Sequence, residues 1–524
     1  MLSRRKFILS VAAFAASYPV LSKTLISTNN WPISSFVPNK KHKSLNKNLI
    51  PDPIFDKNPQ LVNLYWEAWE QAWDHVKHQQ NMPQSPYMDE AFSDDLNWIW
   101  DTCFMVHFCR YAPKKFPGIE SLDNFYEVMY DGKNTPIKVH HIDNPPLFAW
   151  TEIEYFKLTG DKSRILHIEK KQYLQKHFEF FNAPPTGQTL PYGNKKVVLK
   201  KEKLGFIWNG NSSGMDNTPR GRSSGGYSKI YWLDALAQQG LSAKYIVEMA
   251  KITNNKPLQF EYEKKYHEIK QLINNHYWDE EEGFYFDINK KTGEKDKVWT
   301  PASYWVMLAE MCTPEQATRM LKHVMDPQKF GGKFPWVTLS RDDKDYDSKG
   351  QYWRGGIWLP TAYMGTKALE KYGFLEEANE LATNLVNHIK NTYIDFSPHT
   401  IWEAYSPSKH LPSTGKSKYD GVNKKYGGNF ARPHFCGWSA LGPISMLIEN
   451  VIGFYSIDAS NSTVTWRLSQ KSRHGIKNLI FGNINTDIIY EDGKVFVKSN
   501  KPYTLKINGS DYNIIAKEHT FIVS

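Results

Sequence analysis

The chain has 524 residues, of which 40% are hydrophobic, 23% charged and 14% aromatic, with a mean hydropathy of −0.57. That length can bury a large core and carry more than one domain, and the composition excludes a disordered or membrane-embedded protein. The net charge of +10 comes with lysine-dense stretches at 39–49 and 193–203. No arginine-rich helix or RNA-binding aromatic motif goes with it, which argues against nucleic acid as a partner.

The first 22 residues, "MLSRRKFILSVAAFAASYPVLS", join Arg4, Arg5 and Lys6 to an apolar run from Phe7 to Leu21. The run is short for a bilayer span and matches a signal peptide. The paired arginines resemble a twin-arginine export signal. The expectation is a periplasmic or secreted protein with no membrane span after signal removal. Residues 23–52 read as a polar, linker-like segment.

From about 53 to 455 the periodicity is helical. "LEEANELATNLVNHIKN" aligns Ala378, Leu381, Ala382, Leu385, Val386 and Ile389 on one stripe. Residues 314–325 and 229–252 repeat that pattern, and Gly373 ends another helix as a C-cap. The span leaves room for about twelve helices. Beyond 455 the pattern alternates around Asp492-Gly493 and Asn508-Gly509, which are hairpin signals. Residues 456–524 therefore read as a small antiparallel β domain. Cys103, Cys109, Cys312 and Cys436 show no metal-binding spacing, so they read as buried free thiols, with no metal and no cofactor expected.

The loops between helices carry aromatics, glycines and charge together. They are "NWIWDTCFM" (97–105), "SSGMDNTPR" (212–220), "YWRGGIWLPTAY" (352–363), "WEAYSPS" (402–408) and "FCGWSALGP" (435–443). Glycosidic bond cleavage needs such ingredients: an acid to protonate the leaving oxygen, a second carboxylate, and aromatic walls around the sugar. Taken singly, each segment is also an ordinary packed loop.

In this order the five segments resemble the mannosylglycerate-hydrolase-like and family 63 glycoside hydrolases, relatives of the trehalases, over about residues 60–455. The resemblance implies a mainly α (α/α)6 barrel followed by the β domain, inverting chemistry, Asp216 as general acid and Glu403 as general base. An inverting pair stands about 6.5–9.5 Å apart, leaving room for the attacking water. It also implies a substrate-binding wall of Trp98, Trp100, Asp101, Tyr352, Trp353 and Arg354. Asp101 could instead cap a helix, and Arg354 could form a structural salt bridge. Trp208 and Trp438 are stacking surfaces or buried core. Relatives carry Gln-Pro-Pro where this chain has Asn144-Pro145-Pro146, so the shorter Asn144 amide reaches less far into the binding site. The expected partner is an oligosaccharide or polysaccharide fragment. The basic balance either steers an acidic one or is only a solvated lysine surface. A lyase using His140, His141 or Tyr405, a phosphorylase on the same barrel, and a non-catalytic carbohydrate-binding protein are the competing readings.

Overall fold

The computed structural model describes residues 44–90, 96–140, 144–184, 198–415 and 429–523. The leader, the linker up to residue 43, Asp94, Asp95, His141 and the lysines at 195 and 196 lie outside that set. No helix among the described residues is long and apolar enough to cross a membrane.

The helical part runs as α1 (Pro59–Asp74), α2 (Ile99–Cys109), α3 (Ser121–Tyr130), α4 (Phe148–Thr159), α5 (Lys162–Lys171), α6 (Tyr173–Asn182), α7 (Leu233–Thr253), α8 (Lys256–His276), α9 (Tyr304–Leu308), α10 (Pro314–Met325), α11 (Leu359–Lys371) and α12 (Leu375–Asp395). A π-helical segment, Gly442–Ile452, closes the series. Burial alternates along it, except that α5 and α6 are consecutive one-sided helices. Every residue of α2, α9 and the π-helical segment is buried, whereas α8 buries only Tyr262 and Ile273. Helices α4, α7 and α11 belong with the buried set, and α10 and α12 bury one stripe each. On α12 that stripe holds the six residues expected from periodicity, together with His388 and Thr392. Helix α10 starts in a capping box: Thr313 Oγ1 accepts the Gln316 N–H at 3.2 Å, and Gln316 Oε1 accepts the Thr313 N–H at 2.8 Å. Helix α7 starts at Leu233, later than periodicity predicts, because Ile230–Tyr231 is drawn into a short sheet with Asp287–Asn289. All four cysteines are buried and free.

The β part has strands β1 (Asp52–Phe55), β2 (Ser456–Asp458), β3 (Thr463–Trp466), β4 (His474–Phe481), β5 (Ile484–Glu491), β6 (Lys494–Ser499), β7 (Tyr503–Ile507), β8 (Ser510–Ile514) and β9 (Glu518–Ile522). They form two sheets, ordered β1-β4-β5-β6-β9 and β2-β3-β7-β8. Asp492-Gly493 joins β5 to β6 with both residues at positive φ (48° and 77°), the type I′ geometry that suits strand twist. Asn508-Gly509 does the same between β7 and β8. Most pairs are antiparallel, but β3 and β7 run parallel. Strand β1, from the other end of the chain, pairs with β4. The stretch from residue 44, expected as linker, is thus held: Leu45 and Ile50 are buried, and Asn478 Nδ2 donates to the carbonyls of Asn48 (2.7 Å) and Ile50 (3.1 Å).

The loop 209–226 is bolted to the helical core through Arg220. Its buried guanidinium forms two-pronged pairs with Asp234, in the first turn of α7, and with Asp287, at 2.5–3.1 Å. Removing one partner strands buried charge. Arg220→Met is expected to lower the unfolding free energy by about 3–5 kcal/mol, read as a drop in urea midpoint.

Candidate active site

Helix α2 begins where two side chains, Glu90 and Asn144, hold its first turn through three hydrogen bonds. The Trp98 N–H donates to Glu90 Oε1 at 2.7 Å, the Ile99 N–H donates to Asn144 Oδ1 at 3.1 Å, and the Thr102 hydroxyl donates to Glu90 Oε1 at 3.2 Å. Two residues after Ile99, Asp101 is 7% exposed in that turn. Burial raises its pKa well above the carboxylate range; the neighbouring charges of Glu403 and Asp216 push the same way, while its own backbone N–H and Arg432 oppose them. Acidic side chains from three distant parts of the chain thus act on one another. Glu90 is fully buried, and its pKa is also raised well above normal, first by burial and then by Asp101 and Asp89.

The loop that carries Asp216 is pinned on three sides. Gly214 sits at φ +78°, where a Cβ would lie 2.9 Å from the Trp100 ring, so only glycine lets the backbone lie on that indole. The Tyr227 hydroxyl donates to the carbonyls of Thr218 (2.7 Å) and Asp216 (3.3 Å). Asn217 joins this loop to the 351–354 segment: its Oδ1 accepts the Trp353 N–H at 2.8 Å, and its Nδ2 donates to the Gln351 carbonyl at 2.9 Å. Arg354 Nε adds a bond to the Asn217 carbonyl at 3.3 Å. Asp216 itself is half-buried.

Glu403 is 3% exposed, on a strand-like segment that exchanges backbone bonds with its neighbours. Its N–H donates to the Arg432 carbonyl at 2.8 Å, and the Arg432 N–H donates to its Oε2 at 3.1 Å. Trp438 Nε1 and Ser439 Oγ donate to the Glu403 carbonyl at 3.0 and 3.2 Å. Ile357 and Tyr405 exchange N–H···O bonds at 2.8 and 2.9 Å, tying this segment to the one that bears Arg354. Gly437 backs onto the Glu90 carbonyl, where a Cβ would come within 2.8 Å. All five motif segments are therefore linked by direct hydrogen bonds or close packing.

The aromatic residues separate into a partly open set and a supporting set. Trp98 and Tyr352 are half-buried. Trp353 stacks on Trp358 at 4.3 Å, Trp438 lies 5.7 Å from Trp358, and Trp100 packs on Phe104 and Trp305, all of them buried. Trp208 is not a stacking surface: it is 0% exposed, wedged between Phe181 and Trp232. Asn144 is buried, and its Oδ1 holds the start of α2. Arg354 is partly exposed, 3.7 Å from Asp345. The buried Tyr405 hydroxyl accepts the Trp402 N–H at 3.1 Å, inside the loop fold. The sequence reading missed Glu90, Asn217 and Arg432. Only Asn217, next to Asp216, lay within a quoted motif; Glu90 in "MDEAF" and Arg432 in "ARPHF" follow no recognisable pattern. Among the described residues no cluster of His, Cys, Asp and Glu fits a metal ion.

A profile of the mannosylglycerate hydrolase MGH1-like glycoside hydrolase domain matches residues 131–420, more than half of the chain, a span holding Asp216 and Glu403. The chain is 25% identical over 484 residues to an uncharacterized protein of Borreliella burgdorferi, covering 88% of this chain and 95% of the other. It is 24% identical over 363 residues to a mannosyl-oligosaccharide glucosidase of Saccharomyces cerevisiae, covering 63% of this chain but only 38% of the glucosidase. Among solved structures, a family 63 mannosylglycerate hydrolase from Thermus thermophilus in complex with Tris aligns with a TM-score of 0.53 at 14% identity, over 73% of this chain and 99% of that one. At that identity the likeness is one of fold.

Native Glu90 holds its proton more tightly than an unfolded chain, whose glutamate ionises near 4.5. Above that pH the unfolded state gains by ionising, so stability falls as pH rises towards the native value. Asp101 acts in the same sense. Glu90→Gln keeps an acceptor for the Trp98 N–H and removes one ionisation. Urea midpoints from about pH 4 to about pH 8 are expected to fall less steeply for the variant.

Proposed function

The chain belongs to the mannosylglycerate hydrolase MGH1-like glycoside hydrolases, and on that premise we propose that it is an exported enzyme that cleaves an α-glycosidic bond with inversion, Asp216 serving as general acid and Glu403 as general base. The observation that carries this reading is the set of contacts that brings the two carboxylate loops to the first turn of α2: Gly214 lies on Trp100, Asn217 bonds the 351–354 segment and Ile357 bonds Tyr405, with both acids raising the pKa of Asp101. Two carboxyl groups separated by 187 positions have no reason to share a neighbour unless the loops bearing them converge.

The scaffold reading is an (α/α)6 barrel. Its support is the alternation of largely buried with one-sided helices from α1 to the π-helical segment, with the short α5 and α6 together filling one outer position, the pattern that six inner and six outer helices produce. The loops before α2, α7, α11 and the π-helical segment carry the five motifs, so they all gather at one end of such a barrel.

In the mechanism, Asp216 protonates the leaving oxygen from its half-buried loop, and Glu403 removes a proton from the water that attacks the opposite face of the sugar. The Arg432 N–H on Glu403 Oε2 orients that carboxylate. Asp101, kept protonated by burial and its acidic neighbours, donates a hydrogen bond to a sugar hydroxyl. Trp98 and Tyr352 offer the apolar ring faces on which a sugar packs.

Asp216→Asn and Glu403→Gln should each lower kcat by about 10²–10⁴, with circular dichroism and melting temperature unchanged. A panel of α-linked disaccharides and acidic oligosaccharides, followed by NMR of the released sugar, identifies the substrate. The β-anomer should appear first; initial release of the α-anomer overturns the inverting assignment. Gly214→Ala, which pushes the Asp216 loop off Trp100, is expected to cost about 100-fold in kcat/KM through misplacement of the acid, while Gly373→Ala at an open turn leaves the rate unchanged.

A further inference from the structure

Residues other than glycine avoid positive φ, because the Cβ crowds a neighbouring carbonyl oxygen. The turn from 350 to 355 takes that conformation four times: Gly350 at φ 107°, Gln351 at 39°, Tyr352 at 67° and Gly355 at 145°. Glycine adopts it freely, but Gln351 and Tyr352 do not. Strain of this kind persists only where the surroundings over-determine it, and it gathers at binding and catalytic sites.

The bonds around Tyr352 supply that over-determination. Its φ is set by the planar peptide group that joins it to Gln351, and its ψ by the one that joins it to Trp353. Each of these groups is bonded at both ends. In the first, the Gln351 carbonyl accepts from Asn217 Nδ2 at 2.9 Å, and the Tyr352 N–H donates to the Thr414 carbonyl at 2.9 Å. In the second, the Trp353 N–H donates to Asn217 Oδ1 at 2.8 Å. The Tyr352 carbonyl at its other end accepts from Trp358 Nε1 at 3.1 Å and from the Gly356 N–H at 3.2 Å. A peptide group bonded at one end can still pivot about that bond, whereas two opposed bonds fix its plane. One side chain, the Asn217 amide, reaches both planes. It therefore fixes the direction in which the Tyr352 side chain leaves the backbone.

That direction matters at the candidate site. The Tyr352 ring is half-buried, meeting Trp358 edge-on at 4.7 Å and leaving part of its surface open. Trp358 packs at 5.7 Å on Trp438, whose Nε1 donates to the Glu403 carbonyl at 3.0 Å. The ring thus stands in a chain of contacts that begins one residue after Asp216 and ends on Glu403. We propose that Asn217 is a positioning residue for sugar binding: its amide brackets Tyr352 and holds it in the left-handed conformation, so that the ring forms a packing face at a set place relative to both carboxyl groups. The proposal rests on the hydrolase reading and adds to it a residue that acts on KM through Tyr352, rather than on proton transfer through Asp216.

The test places a single 3-fluorotyrosine at position 352 of the full chain and follows its ¹⁹F resonance. In parallel, kcat and KM are measured for the α-linked disaccharide or acidic oligosaccharide that the panel shows to be hydrolysed. Asn217→Ala should shift and broaden the resonance and raise KM about tenfold, the loss of one ring–sugar packing contact, with kcat held within about threefold. Tyr352→Gly, which suits the left-handed turn and removes the ring, should raise KM by a similar factor, and adding Asn217→Ala to it should change KM no further. Asn217→Asp keeps the side-chain volume and the acceptor for Trp353 but loses the donor to Gln351. It should move the resonance and KM in the same direction, and it decides the matter should Asn217→Ala fail to fold. An unmoved resonance, independent effects of the two substitutions on KM, or a fall in kcat at constant KM would each overturn the proposal and leave the hydrolase reading standing. Absence of hydrolysis across the panel would remove that reading and the sugar role with it, while the resonance still decides whether Asn217 holds Tyr352.

Discussion

A buried carboxyl group with two further acids acting on it sets the terms for the rest of the site. Asp101 lies deep in the first turn of α2, and the charges of Glu403 and Asp216 both disfavour its ionisation. Such a cluster is costly, because each added negative charge in a dry place raises the energy of the others. It persists because the surrounding backbone has no freedom to disperse it. Glu90 and Asn144 hold the start of α2, Asn217 ties the Asp216 loop to the 351–354 segment, and Arg432 clasps Glu403 from both sides.

The fold makes that restraint possible. Helices that bury every residue, such as α2 and the π-helical segment, supply a rigid interior, while α8, α10 and α12 cover them with one apolar stripe each. Loops on rigid supports can hold strained or desolvated groups that free loops would release. The two ends of the buried helices then differ in chemistry. One end gathers the carboxyl groups of Glu90, Asp101, Asp216 and Glu403. The other holds a dense network of paired lysine, arginine and glutamate around a cavity.

How far the residues alone revealed this depends on the range of the interaction involved. The α12 stripe and the hairpins at Asp492-Gly493 and Asn508-Gly509 are set by neighbours within a few positions, and they were read from the chain directly. The start of α7 was misread because Ile230 and Tyr231 pair with a strand more than fifty positions away. Strand β1 escaped notice for the same reason, since its partner β4 comes more than four hundred residues later. Trp208 looked equally suited to stacking or to core, and only the packing of Phe181 and Trp232 around it decides for core.

The sequence by itself determined the local pieces: amphipathic helices, hairpin turns, the turn-forming loop around Asp216, and a motif order that marks a glycoside hydrolase. The helices and turns follow from side-chain periodicity and backbone preference, which act over one or two turns of chain, whereas the motif order speaks through its resemblance to a known family. Tertiary structure alone decided which acids meet, that Glu90 joins them, and that Asn144 caps a helix while Asn217 stitches two loops. Burial, charge coupling and hydrogen bonding depend on distance in space, and no spacing along the chain encodes that distance.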